Sequence, residues 1–176
     1  MNKSNGRIQA TMVPDDKRIQ FERDFFNIRG NDLIEHMIFV KKLMQLVSPS
    51  YHTLHWKYME LNNGGLFMYP DLISDDTIVA NINPGSSSTP LTTVDYGIES
   101  SLMFFIKCVR FQELHIKTLR GGERKFIKAD MDYSKRMHKL IMYYVEQLDT
   151  CFDILDVYNA DLKTYTDSLM EYHMAA

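Results

Sequence analysis

The feature that most constrains the fold is a change of period near residue 54. Leu54, Trp56 and Tyr58 alternate with polar positions and share one face of an extended strand. Asn62-Asn63-Gly64-Gly65 follows, a run of residues that accept positive φ, as a tight reversal requires. The return strand runs from Leu66 to Tyr69 and closes at Pro70, which donates no ladder hydrogen bond and so suits a strand end. A third strand is expected from Thr77 to Ile82, β-branched and bounded by Asp75-Asp76 and Asn83-Pro84. Together these make a small antiparallel sheet of about three strands around a central hairpin.

The flanking sequence reads as helix. Pro14 with Asp15 and Asp16 suits a first helical turn, and a short helix through about Asp24 follows. Asn31 or Asp32 can cap a second helix, with Glu35 nearby and Leu33, Met37, Val40, Met44 and Val47 on one stripe, ending before Pro49. After a loop at Asn83–Pro90, Thr92 and Asp95 form a capping box. Ile98, Leu102, Phe105, Ile106 and Val109 then have the spacing of a central buried helix. Gly121-Gly122 breaks the pattern, a long helix is expected from about Met131 to Tyr158, and Leu162–His173 can form a docked terminal helix. The expected fold is α+β: several helices on one small antiparallel sheet in a single compact domain. Residues 1–12 are expected to form a polar, flexible leader, 13–176 the domain, and 160–176 a C-terminal helical extension.

Composition narrows the function classes. The 176 residues are 45% hydrophobic and 24% charged, the balance of an ordinary globular domain. A net charge of −3 gives no overall basic field for a phosphate backbone. It is equally far from whole-surface DNA mimicry, because ten base pairs carry roughly 20 phosphate charges. The N-terminus has no apolar signal-peptide core, and apolar runs such as Leu102–Ile106 are far short of the ~18 residues that span a bilayer. With Cys108 and Cys151 far apart among apolar residues, both read as buried thiols and a reducing cytoplasm is expected.

No catalytic constellation emerges. His52 and His55 with Glu60 invite a metal site, but positions three apart on a strand point to opposite faces. The remaining histidines, His36, His115, His138 and His173, show no pairing pattern, and neither cysteine has a histidine close in sequence. Gly121-Gly122 lacks a Gly-Lys-Ser/Thr ending, and Gly64-Gly65 leads into a strand, so neither cradles phosphate. The expectation is no enzyme, no metal and no cofactor, with a hydrolase kept only as a formal alternative. The hairpin aromatics Trp56, Tyr58, Phe67 and Tyr69 could stack bases, but a sheet core explains them better.

The segment from Trp56 to Asp71 also resembles the signature of the ArdB/KlcA antirestriction family, in which an aromatic strand ending in Leu leads through an Asn-Gly-Gly turn into an aromatic-Met-x-Pro strand. The matching residues are Trp56, Leu61, Asn63, Gly64, Gly65, Phe67, Met68 and Pro70. Upstream, Val13-Pro14, Arg18 and Phe21 resemble the family's opening Val-Pro-x-x-x-Arg-x-x-Phe element. Downstream, Leu91-Thr92 and Gly97-Ile98 resemble its Leu-Ser-x-x-x-x-Gly-Ile helix entrance, with the acid displaced by one position to Asp95. The resemblance covers roughly Thr11 to Val109, and Leu162–Ala176 looks like an added tail. It implies a non-enzymatic protein of a plasmid, phage or other mobile element that impairs type I restriction-modification in the bacterial cytoplasm. The partner would be a restriction complex or another host defence assembly.

Charge placement adds a candidate surface. Lys117 to Lys139 holds eight bases and three acids, a net of +5, whereas Glu146 to Glu171 holds seven acids and one base, a net of −6. On a continuous helix Glu146, Asp149, Asp153 and Asp156 would fall on one stripe, with Leu148, Phe152 and Leu155 on the far side. A solvated face explains such a stripe by itself. With the resemblance admitted, it becomes the expected partner-binding surface. The alternative function is a small nucleic-acid-binding regulator using the basic stretch 117–139.

Overall fold

The computed structural model describes residues 6–27, 56–71, 78–79 and 90–174. Along the chain come β1 (Ala10–Met12), a single 3-10 turn (Asp15–Lys17), α1 (Arg18–Phe25), β2 (Trp56–Leu61), β3 (Leu66–Pro70), β4 (Ile78–Val79) and β5 (Pro90–Leu91), then three long helices, α2 (Thr93–His115), α3 (Gly121–Val145) and α4 (Cys151–Met174). The architecture is α+β, as the periodicities require.

The expected hairpin forms, with Trp56 opposite Pro70 and Glu60 opposite Leu66. Gly64 turns it with φ +86°, where a side chain would be strained, and Leu61 N–H closes it on Gly65 O at 2.8 Å. The sheet's third strand differs from expectation. It is β1, out of the polar leader, which pairs antiparallel with β2 as Ala10 opposite Leu61 and Met12 opposite Met59. Of the segment expected as the third strand, Ile78–Val79 pairs instead with Pro90–Leu91 in a separate two-stranded sheet. Three residues, two of them exposed, carry no readable alternation. β1 is held by backbone bonds that any sequence could make, continued by Val13 N–H to Tyr58 O at 2.9 Å. The expected second helix at Asn31–Val47 lies outside the described residues, as does the loop at Asn83–Pro90 apart from its last residue.

Helices cover the hairpin on both faces and along one edge. Tyr58 meets Phe21 of α1 at 5.0 Å between ring centroids, and on the opposite face Phe67 stacks on Tyr144 of α3 at 5.9 Å. The outer edge of β3 is closed by α2: Met68 N–H donates to Ser101 Oγ at 3.3 Å, and that hydroxyl donates to Gly97 O at 2.7 Å. An edge strand is thus satisfied by a helix side chain rather than left open for another chain. α2 is the central helix, with Ile98, Leu102, Phe105 and Val109 all buried. Phe25 of α1 packs on Phe104 and Phe105 of α2 at 5.5 and 5.0 Å, and a buried ring of that size contributes roughly 1.5–3 kcal/mol. Thr92 caps α2 as the Thr-x-x-Asp spacing predicts, its Oγ1 accepting from Asp95 N–H at 3.2 Å.

The last two helices are divided differently from expectation. A helix from Met131 to Tyr158 does not exist. α3 begins ten residues earlier, at Gly121, and the chain turns between Val145 and Cys151. In that turn Gln147 and Leu148 N–H bond three residues back, to Tyr144 and Val145 carbonyls. Thr150 sends its hydroxyl to Asp95 at 2.9 Å, while its carbonyl accepts from Ile154 N–H at 3.1 Å and starts α4. The Thr150–Asp95 bond joins side chains 55 residues apart and ties the turn to the cap of α2. Thr150 with Asp153 repeats the spacing of the cap at Thr92 and Asp95, which is the signal that marks the break. Leu162–His173 is not a separate helix but the continuation of α4.

Candidate functional site

The residues that carry the family resemblance converge. Pro14, in extended conformation at φ −61°, ψ 150°, starts the 3-10 turn that leads into α1. Arg18, the first residue of α1, donates from Nε to Glu22 Oε1 at 3.0 Å and lies over the Tyr58 ring, 5.2 Å from its centroid. Tyr58 donates its hydroxyl to the same Glu22 oxygen at 2.5 Å. Glu22 is only 4% exposed, so these two donors are what permit a carboxylate there. Burial, then the Glu22 hydrogen bond, raises the Tyr58 phenol well above its ordinary value, which keeps it a donor at all physiological pH. Phe21, buried, packs beside this trio.

Arg18, Tyr58, Trp56, Lys57 and Asp71, with Met12, Val13 and Asp15, line a cavity of about 610 Å³. Arg18 is paired with Glu22, and Lys57 with Asp71 at 2.7 Å, a hydrogen bond that raises the lysine's pKa; Asp15 adds a further carboxylate to the lining. Among the described residues its lining holds no serine, cysteine or histidine, so what it offers is recognition by a fixed guanidinium, an ion pair and two aromatic surfaces.

The hairpin motif residues are structural in position. Asn63 accepts from Gly65 N–H at 2.9 Å through Oδ1 and donates through Nδ2 to Leu140 O of α3 at 2.9 Å, so the asparagine pins the turn to a helix as well as shaping it. Gly65 is buried against that same helix. A Cβ there would stand 3.1 Å from Leu140 Cβ and 2.9 Å from Leu61 Cδ1. Leu61, Phe67, Met68 and Pro70 are buried, and Trp56 and Tyr69 are half-buried. Asn63→Ala is expected to cost about 1–2 kcal/mol by removing both bonds from a part-buried site. Urea unfolding measures it; an unchanged midpoint would mean that the turn holds without the latch.

The acidic residues are placed otherwise than expected. Glu146 and Asp149 fall in the turn and Asp153 and Asp156 on α4, so no single helix carries the four. All four are exposed, and Phe152, expected on the far side, is 86% exposed. Cys108 and Cys151 are free and part-buried, and burial pushes the Cys108 thiol up to about 12, which makes it inert as a nucleophile. His36, His52 and His55 lie outside the described residues. Glu60, their suggested companion, is exposed on β2. His138 meets the Tyr158 hydroxyl at 2.8 Å, and burial lowers its pKa.

Sequence reasoning missed a buried ionisable cluster where α2 faces α4. Glu99 is 0% exposed on α2. Its Oε2 accepts from Ser100 at 3.3 Å, and its Oε1 has no hydrogen-bond partner among the described residues. Burial, and then the charge of Asp161 on α4, raises its pKa; burial likewise raises Asp161. Lys107, two turns along α2, lies 5.3 Å from the Tyr165 ring centroid, and burial lowers its pKa. Glu99 stands one position after Ile98 on the helix's apolar side, and that placement was the available signal.

No family model and no curated protein matches this chain. A solved structure does. It is described as that of the KlcA and ArdB proteins, with a novel fold and antirestriction activity against type I DNA restriction systems in vivo but not in vitro. The match has a TM-score of 0.60 at 18% identity and covers 90% of this chain and 99% of that one. The chain shares that fold.

Proposed function

We propose that this protein is an antirestriction protein that impairs type I restriction-modification by binding a protein or protein–DNA assembly rather than by catalysis. The observation that carries the reading is the coincidence of two likenesses. The fold matches that of a protein with this activity over 90% of the chain. The short motifs at Val13–Phe21 and Trp56–Pro70 fall on Arg18 and Phe21, which pack against Tyr58, and on the hairpin itself. A mobile element would carry such a protein, and the bacterial cytoplasm, where restriction acts, would be its place of action. No helix among the described residues is long and apolar enough to cross a membrane.

The partner-binding surface in this reading is the turn 146–150 with the start of α4, where Glu146, Asp149, Asp153 and Asp156 are all exposed. The turn carries two of these acids and α4 the other two, so they do not share one helical stripe. The test is the plating of unmodified phage on a host with a type I system, with and without the protein. Efficiency is expected to rise several-fold, and equal restriction in both strains would reject the activity. Reversing Asp149, Asp153 and Asp156 to lysine is expected to abolish protection with the urea midpoint retained. Full protection by that variant would remove the patch from the mechanism.

A further inference from the structure

α3 carries a feature that the antirestriction reading does not use. Arg124, Lys125, Lys128, Lys135, Arg136 and Lys139 are all exposed. At 100° per residue they fall within an arc of about 120°, opposite the face that buries Ser134, Met137, Ile141 and Val145. Only Asp132 interrupts them with the opposite charge. From Arg124 to Lys139 the helix rises about 22 Å. Among the described residues Lys135 reaches Glu113 at 3.5 Å, an acid already bonded to Arg110 at 3.0 Å, Lys139 lies 5.5 Å from the Tyr143 ring centroid, and Arg136 interacts with Tyr133. Such solvent-exposed pairing is worth little and yields readily to a stronger anion.

From this we infer that the exposed face of α3 binds the phosphate backbone of duplex DNA, without reading its sequence. Six cations along one straight edge match a line of closely spaced phosphates, which a net charge of −3 for the whole chain conceals. The acids at 146–156 lie at the far end of α3 and beyond it, so the molecule approaches a polyanion with this helix foremost. A single strand fits less well, because its binding relies on aromatic platforms. Within the basic arc no aromatic residue lies between Arg124 and Lys139: Phe126 and Tyr133 point about 60° or more outside it. Asn and Gln, the side chains that pair with adenine edges, are absent from the arc as well.

DNA binding by α3 would hold whether or not the protein opposes restriction, and the two are measured separately. The full chain is titrated against a 30-base-pair duplex at about 50 mM salt by mobility shift and fluorescence anisotropy. Retardation is expected, with affinity falling on the order of 10³-fold by 200 mM salt if all six cations meet phosphate. Arg124→Gln/Lys128→Gln/Lys135→Gln/Lys139→Gln should flatten the dependence of log K on log salt by about 3.6, at about 0.9 for each phosphate no longer neutralised. Circular dichroism should be unchanged, since glutamine is a good helix former. Lys163→Gln, exposed on α4, should leave binding as it is. Absence of retardation at 50 mM salt would overturn the inference, as would binding that the fourfold variant leaves intact. Preference for polyglutamate over the duplex would overturn it too, in favour of an acidic protein partner. Retardation without protection in the plating assay would leave this inference standing and remove the other.

Discussion

Gly97→Ala is expected to destabilise the protein by about 3 kcal/mol, although alanine is the better helix former by roughly 1 kcal/mol. A Cβ at Gly97 would stand 2.3 Å from Tyr69 Cβ and 2.6 Å from both Tyr69 Cα and Met68 O. Two of these three atoms are backbone, so no rotamer change relieves the overlap. Helix and strand must separate, and separation breaks the bonds that close the sheet edge, from Met68 N–H to Ser101 Oγ and from Ser101 Oγ to Gly97 O. Gly122→Ala provides the contrast. Nothing lies within 4 Å of the Cβ it would gain, and it should stabilise by up to about 1 kcal/mol. Thermal and urea unfolding of both variants checks the pair. Equal behaviour of the two would show that the close approach of α2 to β3 is not a constraint on the fold.

The same position shows what was legible in the sequence and what was not. Gly97 could be picked out by motif, but its reason is a packing against Met68 and Tyr69, far back along the chain, which no local pattern encodes. The hairpin was readable because alternation, Asn63-Gly64-Gly65 and a closing proline are all local signals, and the structure pairs the two strands across that turn. α2 was readable for the same reason, its cap and its apolar spacing both lying within one segment. β1 was not, because its pairing is made by backbone atoms and two of its three side chains are exposed. The start of α3 was missed because residues 123–130 form helix with little apolar stripe. Helix-forming residues with a wide polar face leave the period weak.

The acidic stripe failed for a more instructive reason. Spacings of three and four place residues on one face only while a helix is unbroken, and here the helix ends at Val145 and the next begins at Cys151. The basic residues of α3 keep their common face because nothing interrupts Gly121–Val145. The placement of helix ends decided that the basic run keeps one helical face while the acids are shared between a turn and α4.

Between pH 6 and 8.5 the protein is expected to lose stability, on the order of 2–3 kcal/mol, and Glu99→Gln should remove most of that loss. Glu99 is wholly buried beside Asp161, and burial is the larger cause of a pKa raised from 4.5 to about 8. Over that interval the folded chain holds a proton that the unfolded chain has released, so stability falls as pH rises. The contribution is complete below pH 4.5 and is lost as pH passes through the folded value. Asp161, also raised, acts in the same direction but is partly open to solvent, which weakens its share. Lys107 is lowered and works in the opposite sense. Its contribution is present above its ordinary value of 10.5 and lost as pH falls through the folded one, so it favours folding only toward the alkaline limit. His138, lowered by burial, subtracts stability only as pH falls below its ordinary range near 6.5. Around neutrality Glu99 therefore dominates. Glutamine keeps the shape and can still accept from Ser100, yet cannot ionise, so its urea midpoint should stay nearly level across the interval and exceed that of wild type at pH 8.5. Parallel declines in the two proteins would mean that Glu99 is already ionised in the fold at pH 6, held by Lys107 two turns along α2. The contact between α2 and α4 would then be an ion pair rather than a shared proton, and its weakness would appear in high salt instead of high pH.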